Sequence, residues 1–218
     1  MTMNSKIHNI FPTSVYRTKL PKSLIKEFKI LDLEPHIAGK DGKEHPDWGT
    51  RSKTSYILNK PEVLRLKNYV LEQSSYYGHE VLGFESKEYR LTQSWLTFKS
   101  PQSSHSHHMH QNSMISGVIF YGPAQPDTPG ITFHRARPMV PNVFQLYPKY
   151  REDIVSESKA EDFEFPFIPG TMLLFPSWLA HSVRKNPTVT VRKSLAFNII
   201  SKYSLGDEIE LTELKYEE

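Results

Sequence analysis

Four of the ten histidines fall within six residues, His105-Ser106-His107-His108-Met109-His110. Ser116-Gly117-Val118-Ile119-Phe120-Tyr121 follows and reads as a buried strand. Far along the chain, Gly170-Thr171-Met172-Leu173-Leu174-Phe175-Pro176-Ser177-Trp178-Leu179-Ala180-His181 reads as a second buried strand that ends in a histidine. Arg192 comes eleven positions later, inside a third strand-like run. Side chains two apart on a strand share a face, so His108 and His110 converge, as would His105 and His107 if that stretch is extended. His108 and His110 are the favoured pair because they lie closest to the strand opening at Ser116. With His181 they suit a three-nitrogen metal site that keeps coordination positions open for substrate or oxygen. Arg192 supplies a fixed cation on which a carboxylate co-substrate can anchor.

The strand bearing Arg192 has a clear parity. From 188 to 200, one face carries Val189, Val191, Leu195, Phe197 and Ile199, with Lys193 the exception. The other carries Thr188, Thr190, Arg192, Ser194, Ala196 and Asn198. A polar, small-residue face opposite an apolar one is what a pocket wall requires; an outward solvent face is the competing interpretation. Gly117 and Gly170 are assigned to strand geometry, and Asn112-Ser113 to a cap or turn.

These groups need a scaffold. Strands are expected at 89–99, 114–121, 131–134, 171–175 and 188–200. Before them come an extended leading segment at 7–19, a short helix at 21–31, a loop at 35–53 and a clearer helix from Pro61 to Tyr77. In that helix Val63, Leu66, Val70 and Leu71 line one face. The expected architecture is mainly β with flanking helices, in a single domain spanning 1–218. Residues 1–88 give helical support and 89–200 a β core. Segment 122–168, with the adjoining Pro169, holds eight of the sixteen prolines. It reads as an insertion or lid, packed through Phe133, Phe144, Tyr147, Tyr150, Phe163, Phe165 and Phe167.

Composition narrows the chemistry. With 218 residues, 38% hydrophobic and 23% charged, the chain can bury a full sandwich core. The absence of cysteine excludes disulfides, iron–sulfur clusters and thiol nucleophiles, so any metal takes nitrogen and oxygen ligands. A net charge of +3, without basic clusters, does not argue for nucleic acid. No apolar run is long enough to span a membrane and no signal peptide is evident, so a cytoplasmic location is expected. No phosphate loop or nucleophile elbow is present.

Taken together, His108-Met109-His110, Ser116-Gly117-Val118, Gly170–Phe175, Phe175-Pro176-Ser177 leading to His181, and Arg192-Lys193-Ser194 resemble the 2-oxoglutarate- and iron(II)-dependent oxygenases. The likeness spans about residues 93–198 and is strongest to a branch of small hydroxylases of bacteria and their viruses. It implies a double-stranded β-helix (jelly roll) buttressed by N-terminal helices. It implies Fe(II) on His108, His110 and His181, and 2-oxoglutarate with its far carboxylate on Arg192 and Ser194. It implies O2 as co-reactant, succinate and CO2 as products, and hydroxylation of a C–H bond in a peptide, nucleotide or metabolite. One position departs from the pattern: most of the superfamily places Asp or Glu where this chain has His110. Either His110 is itself a ligand, the simpler case, or a carboxylate of 122–168 completes the set. The rival reading is a cupin-like metal protein (an isomerase, a dioxygenase without 2-oxoglutarate, or a binder), and a weaker one is a structural virion protein holding zinc. A pocket-facing Arg192 separates the first of these from the oxygenases.

Overall fold

The computed structural model describes residues 11–32, 34–37, 49–135 and 160–216. In chain order the elements are β1 (Tyr16–Lys19), the short helices α1 (Lys22–Ile25) and α2 (Phe28–Leu31), β2 (His36–Ile37), β3 (Thr50–Ser52) and α3 (Leu64–Tyr76). The strands β4 (Tyr89–Lys99), β5 (His105–His108), β6 (Ile115–Tyr121), β7 (Ile131–His134), β8 (Asp162–Phe165), β9 (Thr171–Pro176), β10 (His181–Val183) and β11 (Arg192–Ser201) follow. A two-residue pair, β12 (Ser204–Leu205) and β13 (Leu214–Lys215), closes the described chain.

The strands form a seven-stranded sheet in the order β1-β9-β6-β11-β4-β3-β2 and a four-stranded sheet in the order β5-β10-β7-β8. The non-consecutive neighbours are the mark of a jelly roll, and the expected fold class holds. The large sheet is apolar on its outer face and, along β6 and β9, on its inner face as well. Its outer face (Leu96, Phe98, Ile115, Ile119, Met172, Leu174, Leu195, Phe197) is covered by Leu24, Phe28 and Leu31 of the short helices and by Leu66 and Val70 of α3. Its inner face contributes Val118, Phe120, Leu173 and Phe175 to a second cluster with Ile131 and Phe133 of the small sheet. Burial of this much apolar side chain is the main favourable term in the fold.

The helices depart from expectation in detail. The run at 21–31 is two single-turn helices, because the chain turns at Lys26 and Glu27. That turn has a use. The Glu27 carboxylate accepts the backbone N–H of Leu66 at 3.2 Å, satisfying a donor in the first turn of α3 from a distant segment. The Pro61 end of the expected helix is a 3₁₀ turn (Pro61–Val63), and a π-helical turn (Tyr77–Val81) extends the other end. The expected loop at 35–53 contains the edge strands β2 and β3. The last long strand begins at Arg192 rather than at 188, leaving Val189 and Val191 exposed instead of in the core. Of the expected insertion 122–168, residues 136–159 lie outside the described residues. Its flanks are the paired strands β7 and β8 of the small sheet.

Gly117 sits where three strands crowd. A Cβ there would run into the Phe197 ring and come within 2.8 Å of Leu174. Both neighbours are fully buried, so neither can swing aside. Gly117→Ala is expected to destabilise the protein by about 1–3 kcal/mol through overpacking. Urea denaturation checks this, and a midpoint equal to that of the parent would show that the strands can part there.

Candidate active site

The histidine cluster is built by the small sheet. β5 and β10 run antiparallel with His108 directly opposite His181, whereas Val183 lies opposite His105. Between these pairs one residue of β10, Ser182, faces two of β5, Ser106 and His107, which is a β-bulge. The bulge breaks the expected alternation. His105 stacks on His108 at 4.1 Å, while His107 turns to the other face and meets His134 at 4.5 Å. His105 and His107 therefore do not share a face.

The expected pairing of His108 with His110 does occur, but by another route. β5 ends at His108, and His110 lies beyond the strand, in the connection that crosses to β6 in the large sheet. Its backbone N–H donates to the Ser177 carbonyl at 3.0 Å. His181 likewise does not end β9. A turn after Pro176 carries the chain into the small sheet, where His181 opens β10. The result is convergence: one ligand atom from each of His108, His110 and His181 lies within 4.8 Å of the others. Among the described residues no carboxylate joins them. Asp162 is engaged by His134 at 2.6 Å and Glu164 by Arg184 at 3.3 Å, while Glu152, Asp153 and Glu157 lie outside the described residues.

The donor set fits a divalent ion. His181 Nδ1 lies 2.9 Å from the Leu179 carbonyl, and His108 Nδ1 lies 2.8 Å from that of Ser106. A carbonyl only accepts, so each Nδ1 carries the proton and each Nε2 keeps its lone pair. Burial holds the imidazoles neutral. His181 is pushed down to about 3 and His110 to about 4, chiefly by desolvation and then by the neighbouring His108. His108 is lowered by the same desolvation.

Beside the cluster, alternate residues of β11 and β4 face one another across the inner wall: Arg192 with Lys99, Ser194 with Thr97, Ala196 with Trp95, and Asn198 with Gln93. The polar face of β11 therefore lines the interior and is not solvent-facing. Arg192 is 2% exposed. Its Nε donates to the Pro129 carbonyl at 2.7 Å, Nη2 to Gly130 at 3.1 Å and Nη1 to the Ser194 hydroxyl at 3.2 Å. The rings of Phe120 and Phe167 flank it at 5.3 and 5.4 Å. Burial lowers its pKa to about 10, so it stays cationic at neutral pH. Lys193, the exception in the parity pattern, points outward to Asp32 at 2.9 Å.

Two wall residues, Lys99 and Trp95, escaped sequence reasoning, and His105, expected to share a face with His107, joins the wall without it. Lys99 is fully buried, and its Nζ donates to the Ser104 carbonyl at 2.7 Å. His105, pushed down to about 2 mainly by desolvation, feels His108, Lys99, His181 and Arg192. Trp95 stacks on His110 at 5.8 Å. The available signal was the alternation Gln93, Trp95, Thr97, Lys99 along β4, the same pattern that exposed Arg192.

The lowered histidine pKa values fix a pH response. A group whose pKa is about 3 or 4 when folded and 6.5 when unfolded binds more protons in the unfolded chain throughout that interval. Stability of the metal-free protein therefore falls as pH drops from 6.5 toward 4. Thermal melts at pH 7 and pH 5 should show this loss, and His181→Gln should lessen it. A melting temperature independent of pH over this range would contradict the neutral-imidazole assignment.

Residues 93–198 match the sequence model of a family described as "Putative 2OG-Fe(II) oxygenase". No curated protein matches the sequence. Among solved structures, a prolyl-4-hydroxylase of Pseudomonas putida is similar with TM-score 0.58 and 13% identity, over 87% of this chain and 94% of that one. HygX of Streptomyces hygroscopicus, solved with nickel, 2-oxoglutarate and hygromycin B, has TM-score 0.58 and 13% identity over 88% and 84%. The epimerase SnoN from nogalamycin biosynthesis has TM-score 0.60 and 11% identity over 89% and 82%. At such identities the likeness is one of fold. No described helix is long and apolar enough to cross a membrane. The family match runs from Gln93 to Asn198 and takes in every group of the site, so over this stretch, just under half of the chain, the sequence is that of a 2-oxoglutarate/Fe(II)-dependent oxygenase core.

Proposed function

We propose that the protein is a hydroxylase in which His108, His110 and His181 hold Fe(II) while Arg192 and Ser194 receive the far carboxylate of 2-oxoglutarate. The observation that carries this reading is a fully enclosed guanidinium on the wall beside three converging neutral imidazoles. When bound, the iron and 2-oxoglutarate supply oxidative chemistry with O2, releasing succinate and CO2 as a C–H bond of the substrate is hydroxylated.

The chain's own part is to hold and to exclude. Three histidine nitrogens leave coordination positions for 2-oxoglutarate and O2. Of the five guanidinium N–H groups of Arg192, three meet Pro129, Gly130 and Ser194 among the described residues. That leaves one on each terminal nitrogen, the pair that grips a carboxylate side by side. The two backbone carbonyls fix the fork before the co-substrate arrives, which lessens the ordering cost of binding. Phe120, Phe167 and the buried inner cluster keep water from the pair. Segment 122–168 is the element we assign to substrate selection, because its flank β7 pairs with the strand of His181.

Arg192→Ala is expected to leave Co(II) affinity within twofold of the parent and to weaken 2-oxoglutarate binding at least tenfold. Loss of a buried charge-assisted pair typically costs about 2–5 kcal/mol. Arg192→Lys should recover only part, since an ammonium lacks the planar fork. Calorimetric titration of 2-oxoglutarate into the metal-loaded protein measures the effect. Unchanged affinity in Arg192→Ala would place the co-substrate elsewhere and favour a cupin-like chemistry.

A further inference from the structure

The outer face of the small sheet carries a second cluster of reactive side chains that the metal site leaves unused. Along β10 the burial alternates, so His181 points inward and Ser182 outward. His134 at the end of β7 and Asp162 at the start of β8 are opposite one another in the ladder. His134 Nδ1 lies 2.6 Å from Asp162 Oδ1, and His134 Nε2 lies 2.8 Å from Ser182 Oγ. The strands β10, β7 and β8 are neighbours, and each supplies one member. All three side chains can be reached from solvent: that of His134 is 21% exposed, that of Asp162 60%, and Ser182 is partly exposed.

The proton order follows from donor counting. A carboxylate only accepts, so His134 Nδ1 carries the proton shared with Asp162. In the neutral ring Nε2 then keeps its lone pair, and the 2.8 Å contact there is a donation from the Ser182 hydroxyl. A serine in this arrangement is an activated nucleophile. The imidazole can take its proton as the new bond forms, and the carboxylate holds the ring in the tautomer required. The strands do not need this relay to stay together. The His134 backbone N–H already donates to the Ala180 carbonyl at 3.0 Å, and that of Arg135 to the Glu161 carbonyl at 2.8 Å.

The surroundings fit attack on a carbonyl carbon. The bulge between β5 and β10 falls at Ser182, and bulges re-aim side chains. His107 closes one side, its ring 4.5 Å from that of His134. Arg184, two residues beyond Ser182, brings a cation to the same sheet. Its Nε donates to Glu164 Oε1 and its Nη2 to the Asp127 carbonyl, both at 3.3 Å. Glu164 lies in the same cross-strand row as Thr132 and Ser182. A guanidinium so placed can offset negative charge growing on a substrate oxygen.

We propose that Asp162, His134 and Ser182 form a nucleophilic site on the outer face of the small sheet that hydrolyses small carboxylic esters without a metal. Ser182 Oγ attacks the ester carbonyl carbon while His134 Nε2 takes the hydroxyl proton. The bond to the alcohol oxygen then breaks, and the alcohol leaves with that proton. Water attacks the acyl-serine, giving a proton to Nε2, and the acid departs as Ser182 recovers its hydroxyl from His134. Ester and water are consumed, acid and alcohol are released, and nothing is oxidised or reduced. Ser182 and His134 touch the substrate, whereas Asp162 is a positioning residue that acts through the ring. The reaction is separate from the oxygenase chemistry proposed above, which uses residues facing inward.

The test is covalent labelling by diisopropyl fluorophosphate, located by peptide mass spectrometry, together with hydrolysis of p-nitrophenyl acetate. Both are run on the full chain in EDTA and again on the Co(II)-loaded chain. Circular dichroism and a thermal melt first establish that each variant is folded. The parent is expected to be labelled at Ser182 to the same extent in the two states. Ser182→Ala should abolish the label there and lower ester turnover about tenfold or more, and His134→Gln should do likewise through loss of the general base. Asp162→Asn should lower kcat about threefold or more with KM within about twofold, since it disturbs the ring and not the binding of ester. If Ser182→Ala does not fold, His134→Gln carries the comparison with the serine still in place. An unlabelled Ser182 in the parent, labelling that survives His134→Gln, or labelling that requires Co(II) would each overturn the proposal. None of these outcomes touches the three-histidine site, which is read by metal binding.

Discussion

The site depends on the pairing of β5 with β10. That ladder sets His108 opposite His181 and so determines which side of the small sheet carries the imidazoles. A slip of either strand by one residue would turn its ring to the opposite face and part it from the other, because strand side chains alternate with a period of two. The inner neighbours guard the register. Phe133 and Phe175 pack edge-on against one another at 4.8 Å, and each faces His181, at 6.1 and 4.9 Å. The same enclosure strips water from the rings and leaves them uncharged, so register and protonation have one cause.

The large sheet was legible in the sequence to a considerable degree. Strands at 89–99, 114–121 and 171–175 emerge within a residue of their expected limits, as does 131–134 in the small sheet, because each is an apolar or alternating run bounded by turn residues. The wall of β11 was legible too. Small polar residues alternating with Leu195, Phe197 and Ile199 could be reconciled only with two differently buried faces. The short strands β2 and β3 were not, since runs of two or three residues become strands only when a neighbour such as β4 offers them partners.

For the site, residue types were readable but their means of support were not. The three histidines that converge could be named from spacing. The bulge that separates His105 from His107 and the escape of His110 from its strand could not, because both arise from pairing with a segment more than seventy residues away. Asn112 and Ser113 looked like turn chemistry, as such residues usually are. Their bonds to Asn198 and Ser177 appear only once β6, β9 and β11 lie side by side. Hydrogen-bond networks of this kind have no sequence period, and a single sequence gives them no signature.

The seating of Arg192 has a further consequence. Its guanidinium is gripped by the main-chain oxygens of Pro129 and Gly130, which immediately precede β7. β7 pairs on one edge with the strand that opens at His181, and on the other with β8. The seat of this guanidinium is therefore made partly of backbone belonging to the connection that leads into β7. With the proposed carboxylate on Arg192, free-energy linkage would run both ways: whatever biases the path of residues 126–130 would change the affinity for that anion, and the bound anion would bias that path by an equal amount. Two carbonyl groups would then suffice for a reciprocal coupling between interior and rim, with no separate regulatory site.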